Sequence, residues 1–82
     1  MAEHRSRLRT LTDPQLDCLL SIAKICRDTG WPATLTQIAL DSGRSNRSSV
    51  HKHVQVLVER GLVEQQRAQG GIRPVGWRYA HR

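Results

Sequence analysis

Apolar residues recur at spacings of three and four in three separate stretches of this 82-residue chain, the periodicity of amphipathic helices. In the first stretch, Leu16, Leu19, Leu20, Ala23 and Cys26 form the expected core stripe and Ile22 extends it. Cys18 and Ile25 fall well round the cylinder, and Asp17, Ser21, Lys24 and Asp28 share the polar strip. Thr12 and Gln15 make a capping box, Pro14 suits a first turn and Gly30 is a stop signal, so the spacing predicts a helix over 13–29. It is apolar over more than half its circumference, more than one small core requires. In the second stretch Thr34 caps, Gln37 closes a box, Leu35, Ile38 and Ala39 make the apolar face, and Gly43 ends a short helix. In the third, Ser45 or Asn46 caps, Val50, Val54, Leu57 and Val58 line one face over 46–60, and Gly61 terminates.

Beyond Gly61 the period changes to two. Leu62–Arg67 and Val75–Tyr79 read as strands either side of a Gly-rich, basic tip over 68–74, with Val75, Trp77 and Tyr79 alternating toward the core. Gly70-Gly71 lacks the surroundings of a phosphate loop and reads as a turn. A turn of about four residues containing Gly joins the second and third helices, the spacing of a helix-turn-helix. The expected fold is α+β, mainly α: a winged helix-turn-helix of three helices followed by a two-stranded β-hairpin wing. It is expected to occupy 11–80, with 1–10 a flexible basic arm.

Charge sharpens this picture. The chain has a formal charge of +6, yet residues 1–41 hold five cations and five anions, while residues 42–82 hold eight cations and two anions. The entire excess lies in the third helix, the turn before it and the hairpin. Eleven of the thirteen cations are Arg, whose planar fork matches phosphate and guanine edges.

Other chemistry is thin. The longest apolar runs are three residues, Cys18-Leu19-Leu20 and Val56-Leu57-Val58 among them, far from the roughly 20 needed to span a bilayer. The basic N-terminus is followed by no apolar segment, so a cytoplasmic location is expected. Cys18 and Cys26 would sit about 12 Å apart along one helix, too far for a disulfide. His51 and His53, two apart on a helix, point to different sides and suggest no metal site. No carboxylate pair or nucleophile–base pair emerges, so neither an enzyme, a cofactor nor a small-molecule substrate is expected.

The strings LTDPQLDCLLSI, GWPATLTQIALDSG and SSVHKHVQVLVERGLVE together resemble the DNA-binding N-terminal domain of the LexA repressor family, over about two thirds of the chain. The shared features are Leu11-Thr12 with Gln15, the Thr34-x-x-Gln37-Ile38-Ala39 entry to the second helix and the Gly61-Leu62-Val63 exit from the third. The chain stops just past the wing, so the self-cleaving Ser/Lys domain of that family is not expected, and the tip is longer and richer in Arg than the family's short wing. The resemblance implies that Ser48 and Ser49 stand at base-reading positions. A more distant similarity, through Pro74 and Trp77, is to winged domains that bind left-handed nucleic acid, but His51 and Gln55 stand where those domains use Asn and Tyr.

With Val50, Val54 and Leu57 inward, Ser48, Lys52 and Gln55 lie on the opposite side of the third helix, flanked by His51 and Ser45. In a helix-turn-helix the N-terminal part of that helix enters the major groove. Asn46, Arg47, Ser48, Ser49, Lys52 and Gln55 are therefore the expected base-reading residues. Thr34, Thr36, Arg44, Ser45 and His51 are the expected phosphate contacts, and Arg67, Gln69 and Arg73 the wing's contacts to DNA. The expected activity is sequence-specific binding of double-stranded DNA by a small transcriptional regulator, a repressor or a mobile-element control protein. The alternative is a protein-interaction module in a replication, conjugation or polymerase assembly. A homodimer through helix 13–29, using Cys18 and Ile25 with Leu8 and Leu11, is set against an arm that folds back to cover that face.

Overall fold

The computed structural model describes residues 11–43, 46–66 and 71–77. The expected arm, residues 1–10, lies outside them. Three helices, α1 (Asp13–Thr29), α2 (Leu35–Asp41) and α3 (Arg47–Glu59), precede strands β1 (Val63–Gln66) and β2 (Gly71–Pro74), which pair antiparallel. This is the three-helix-plus-hairpin plan of a winged helix-turn-helix.

Local chemistry sets the helix starts. Thr12 Oγ1 accepts from the Gln15 N–H at 3.4 Å while Gln15 Oε1 accepts from the Thr12 N–H at 3.0 Å. Thr34 and Gln37 repeat the exchange at 3.1 and 2.9 Å. Each box satisfies N–H groups that a helix cannot satisfy itself, worth about 1 kcal/mol per cap. Gly30 ends α1 in the left-handed region, φ 77°, and its N–H reaches Cys26 O at 2.9 Å. Asn46 caps α3.

The inward face of α1 differs from the stripe its leucines suggest. Cys18, Ser21, Ile22, Ile25 and Cys26 are buried, whereas Leu20 is 59% exposed and Ala23 is exposed. Cys18 and Ile25 therefore belong to the core and do not form an outward dimer surface. A helix apolar on most of its circumference leaves its rotation to its neighbours. Ser21, only 5% exposed, lies inside the inward stripe facing the Asp41 carboxylate of α2, so that this polar group is turned toward a polar neighbour. Ile38 and Ala39 of α2, Val50, Val54 and Leu57 of α3, and Val63 and Ile72 of the hairpin complete the core, with Trp77 packed at its edge. The Cys26 thiol, raised above its ordinary pKa by burial, donates to Ile72 O at 3.5 Å; Cys18 and Cys26 are both buried and in no disulfide.

The second strand is also displaced from the expected one. Gly71–Pro74 pairs with β1, in the register Val63↔Pro74, Glu64↔Arg73, Gln65↔Ile72, Gln66↔Gly71, while Val75 and Gly76 turn and Val75 is half-exposed. The reason is Ile72, which is fully buried and exchanges two 2.8 Å backbone hydrogen bonds with Ala33. That bridge adds a third backbone to the sheet and outweighs the stronger strand pattern of Val75, Trp77 and Tyr79. The pairing shortens the wing's tip to the connection 67–70. Tyr79 lies outside the described residues.

Lys24 Nζ sits 3.0 Å from Asp41 Oδ1, tying α1 to α2. The Lys24 and Ser21 hydrogen bonds hold the Asp41 carboxyl below its ordinary pKa. A folded-state pKa below the unfolded one gives stability that is complete above the unfolded pKa and lost as pH falls through the folded one. Asp41→Asn should therefore melt below the wild type near neutral pH, and the gap should close as pH falls below the ordinary carboxylate range, as thermal melts across a series of pH values would show.

Candidate nucleic-acid interface

The face of α3 opposite Val50, Val54 and Leu57 carries Ser48, His51, Lys52 and Glu59, all exposed. Arg47, the first helical residue, is exposed beside them, and Ser49 is half-buried. Leu35, at the start of α2, joins Arg47, Ser48, His51 and Lys52 in lining one shallow concavity. The helix-turn-helix geometry thus brings together four residues expected at the interface and one apolar side chain, Leu35, that the apolar face of α2 had claimed for the core. Its half-burial reflects both surroundings. Thr34 and Thr36 are exposed on and beside the cap of α2.

Three expected contacts are placed differently. Asn46 Oδ1 accepts from the Ser48 and Ser49 N–H groups at 2.8 and 3.4 Å, so its carbonyl serves the helix cap. Gln55 is half-buried, and its Nε2 donates to Gln65 Oε1 of β1 at 3.3 Å. Arg73 does not flank the tip. It stands next to the wing's root, where its Nε and Nη2 each lie 3.1 Å from Glu64 Oε1 across the strands, and its side chain is only 21% exposed. An opposite-charge pair directly across an antiparallel ladder is favourable, and only the strand register reveals it. Arg44, Ser45, Arg67 and Gln69 lie outside the described residues.

Ion pairing divides the cations. Lys24, Arg27 and Arg73 each have a carboxylate partner. Among the described residues Arg47 and Lys52 form no ion pair, so their charges face outward on one end of α3. Also among the described residues, no group of three or more His, Cys, Asp or Glu is placed to hold a metal ion, and no helix is long and apolar enough to cross a membrane.

Three capped helices, a short turn between the second and third, and a hairpin packed behind them define a winged helix-turn-helix. The model of the IclR helix-turn-helix domain matches residues 27–67, half of the chain, from the end of α1 through β1. The chain belongs to the IclR helix-turn-helix domain family, and its domain is that of a DNA-binding transcription regulator rather than of an enzyme. The match agrees with the LexA resemblance on the winged helix-turn-helix and assigns it to the IclR type. No curated protein and no solved structure matches the chain.

Proposed function

We propose that the protein is a sequence-specific regulator of transcription, acting in the cytoplasm as a repressor or a mobile-element control protein, with α3 in the major groove of double-stranded DNA. The observation that carries this reading is the convergence of Arg47 and Lys52, without ion-pair partners among the described residues, with Ser48, His51 and Leu35 on one concave face. Lys52 meets guanine O6 or N7, Ser48 and Ser49 read base edges as the LexA resemblance implies, Leu35 suits a thymine methyl, and Asn46 offers only its amide N–H groups. Thr34, Thr36, His51 and Arg47 hold phosphates, joined by Arg44 and Ser45 of the turn and by Arg67 and Gln69 of the wing. A second copy, packed on the outward Leu16, Leu20 and Ala23 face of α1, gives the two-fold arrangement that a small domain uses to read two half-sites. A protein-interaction module would instead expose a contiguous apolar patch on α3 and the wing; among the described residues, the exposed ones of α3, β1 and β2 are polar or charged. Selection of bound duplexes from a random pool should enrich one motif, and Lys52→Ala should flatten preference at one of its base pairs. Recovery of no motif would contradict sequence-specific reading.

A further inference from the structure

Strand alternation puts Gln65 on the same face as the buried Val63 and opposite the buried Ile72, while Glu64 and Arg73 occupy the other face. The Gln65 side chain thus continues the core face of the wing outward, beyond the last apolar side chain of β1, toward α3. On α3, Gln55 follows Ser48 and Lys52 at the spacing of one face, yet it is half-buried where they are exposed, because this is where the helix turns that face toward β1. The two amides meet there, 3.3 Å apart. Among the described residues the Gln55 side chain makes no other hydrogen bond. The pair lies one residue short of the last ladder pair, Gln66↔Gly71, from which the wing's tip departs.

We propose that Gln55 and Gln65 form a clasp that fixes the angle between the wing and α3, making Gln55 a positioning residue for the wing and not a reader of bases. The inference rests on the DNA-binding reading above. The Ala33–Ile72 bridge and the close packing of Gly71 on Pro32 anchor β2 to the segment after α1, and the amide pair adds a tie between β1 and α3; together they leave less of the wing to be ordered on binding. Both partners are neutral, so the clasp itself releases no counterion, and breaking it changes the salt dependence only through the wing's own phosphate contact.

The test uses Gln55→Met, Gln65→Met and the double variant, which keep side-chain length and packing while removing the hydrogen bond; thermal melts confirm that each is folded. Against a duplex selected by the wild-type protein, each single variant should bind about three- to tenfold more weakly, and the double variant no more weakly than either single one. All three should keep the wild-type base preference beneath α3, and all three should lose protection of the base pairs flanking it in a hydroxyl-radical footprint, with a salt slope shallower by about one as the wing's phosphate contact is lost. Additive losses, or a change of preference at one base pair in Gln55→Met that Gln65→Met does not share, would overturn the clasp and return Gln55 to the bases. A wild-type protein that retains no duplex from the pool would instead remove the DNA reading on which the clasp depends.

Discussion

Gly71→Ala should lower the melting temperature by about 5–20 °C. A Cβ at Gly71 would lie 2.4 Å from Pro32 Cβ, inside the distance non-bonded carbons keep, and a tight 3.0 Å from Pro32 Cγ. The pyrrolidine ring cannot rotate away, and the next residue, Ala33, is held by its two backbone hydrogen bonds to Ile72. The strain must therefore open the Ala33–Ile72 bridge or shift the start of β2, and with it the fully buried Ile72. Overpacking of this kind costs about 1–3 kcal/mol, and in a domain of this size each kcal/mol is worth about 4–8 °C. Because the clash is with one side chain, Pro32→Gly in the Gly71→Ala background should recover part of the loss. If Gly71→Ala melts within about 2 °C of the wild type, roughly the shift of a few tenths of a kcal/mol, the close approach of β2 to Pro32 is wrong.

The largest functional effect should come from Arg47→Ala with Lys52→Ala. Each removes a cation at the N-terminal end of α3, where neither meets a carboxylate among the described residues. At a groove or phosphate contact one such group is worth roughly 1–3 kcal/mol, so the double variant should bind its selected duplex about 100-fold more weakly or worse. The two single variants should differ in kind. Loss of a phosphate contact at Arg47 weakens all sequences alike and reduces the salt slope by about one, whereas loss of Lys52 relaxes preference at one base pair. Thermal melts should stay close to the wild type, since both side chains are exposed.

The sequence makes some of this architecture readable and hides the rest for identifiable reasons. The two Thr-x-x-Gln boxes place the starts of α1 and α2 because a capping box is complete within four residues and needs nothing from the rest of the chain. The face of α3 is readable because only one side of it is apolar. The rotation of α1 is not: with apolar side chains over more than half its circumference, its inward face is set by packing against residues of α2, α3 and the hairpin far along the chain. Likewise Gly-Ile-Arg-Pro has weak strand character, and becomes β2 because Ala33, far earlier in the chain, offers Ile72 a backbone partner. The expected interface fares the same way. Ser48, His51 and Lys52 are exposed together as helical periodicity requires, while Gln55 and Arg73 turn to Gln65 and Glu64, partners visible only once the strand register is known.

The central claim is that the outward charge at the start of α3, with the cations in the sequence of its turn and wing, serves to hold a DNA backbone. Equilibrium binding of the wild-type protein to duplex DNA across a series of salt concentrations tests this most directly. With about four to six phosphates neutralised, the logarithm of the binding constant should fall against the logarithm of salt concentration with a slope of roughly −4 to −5; a slope near zero would contradict it.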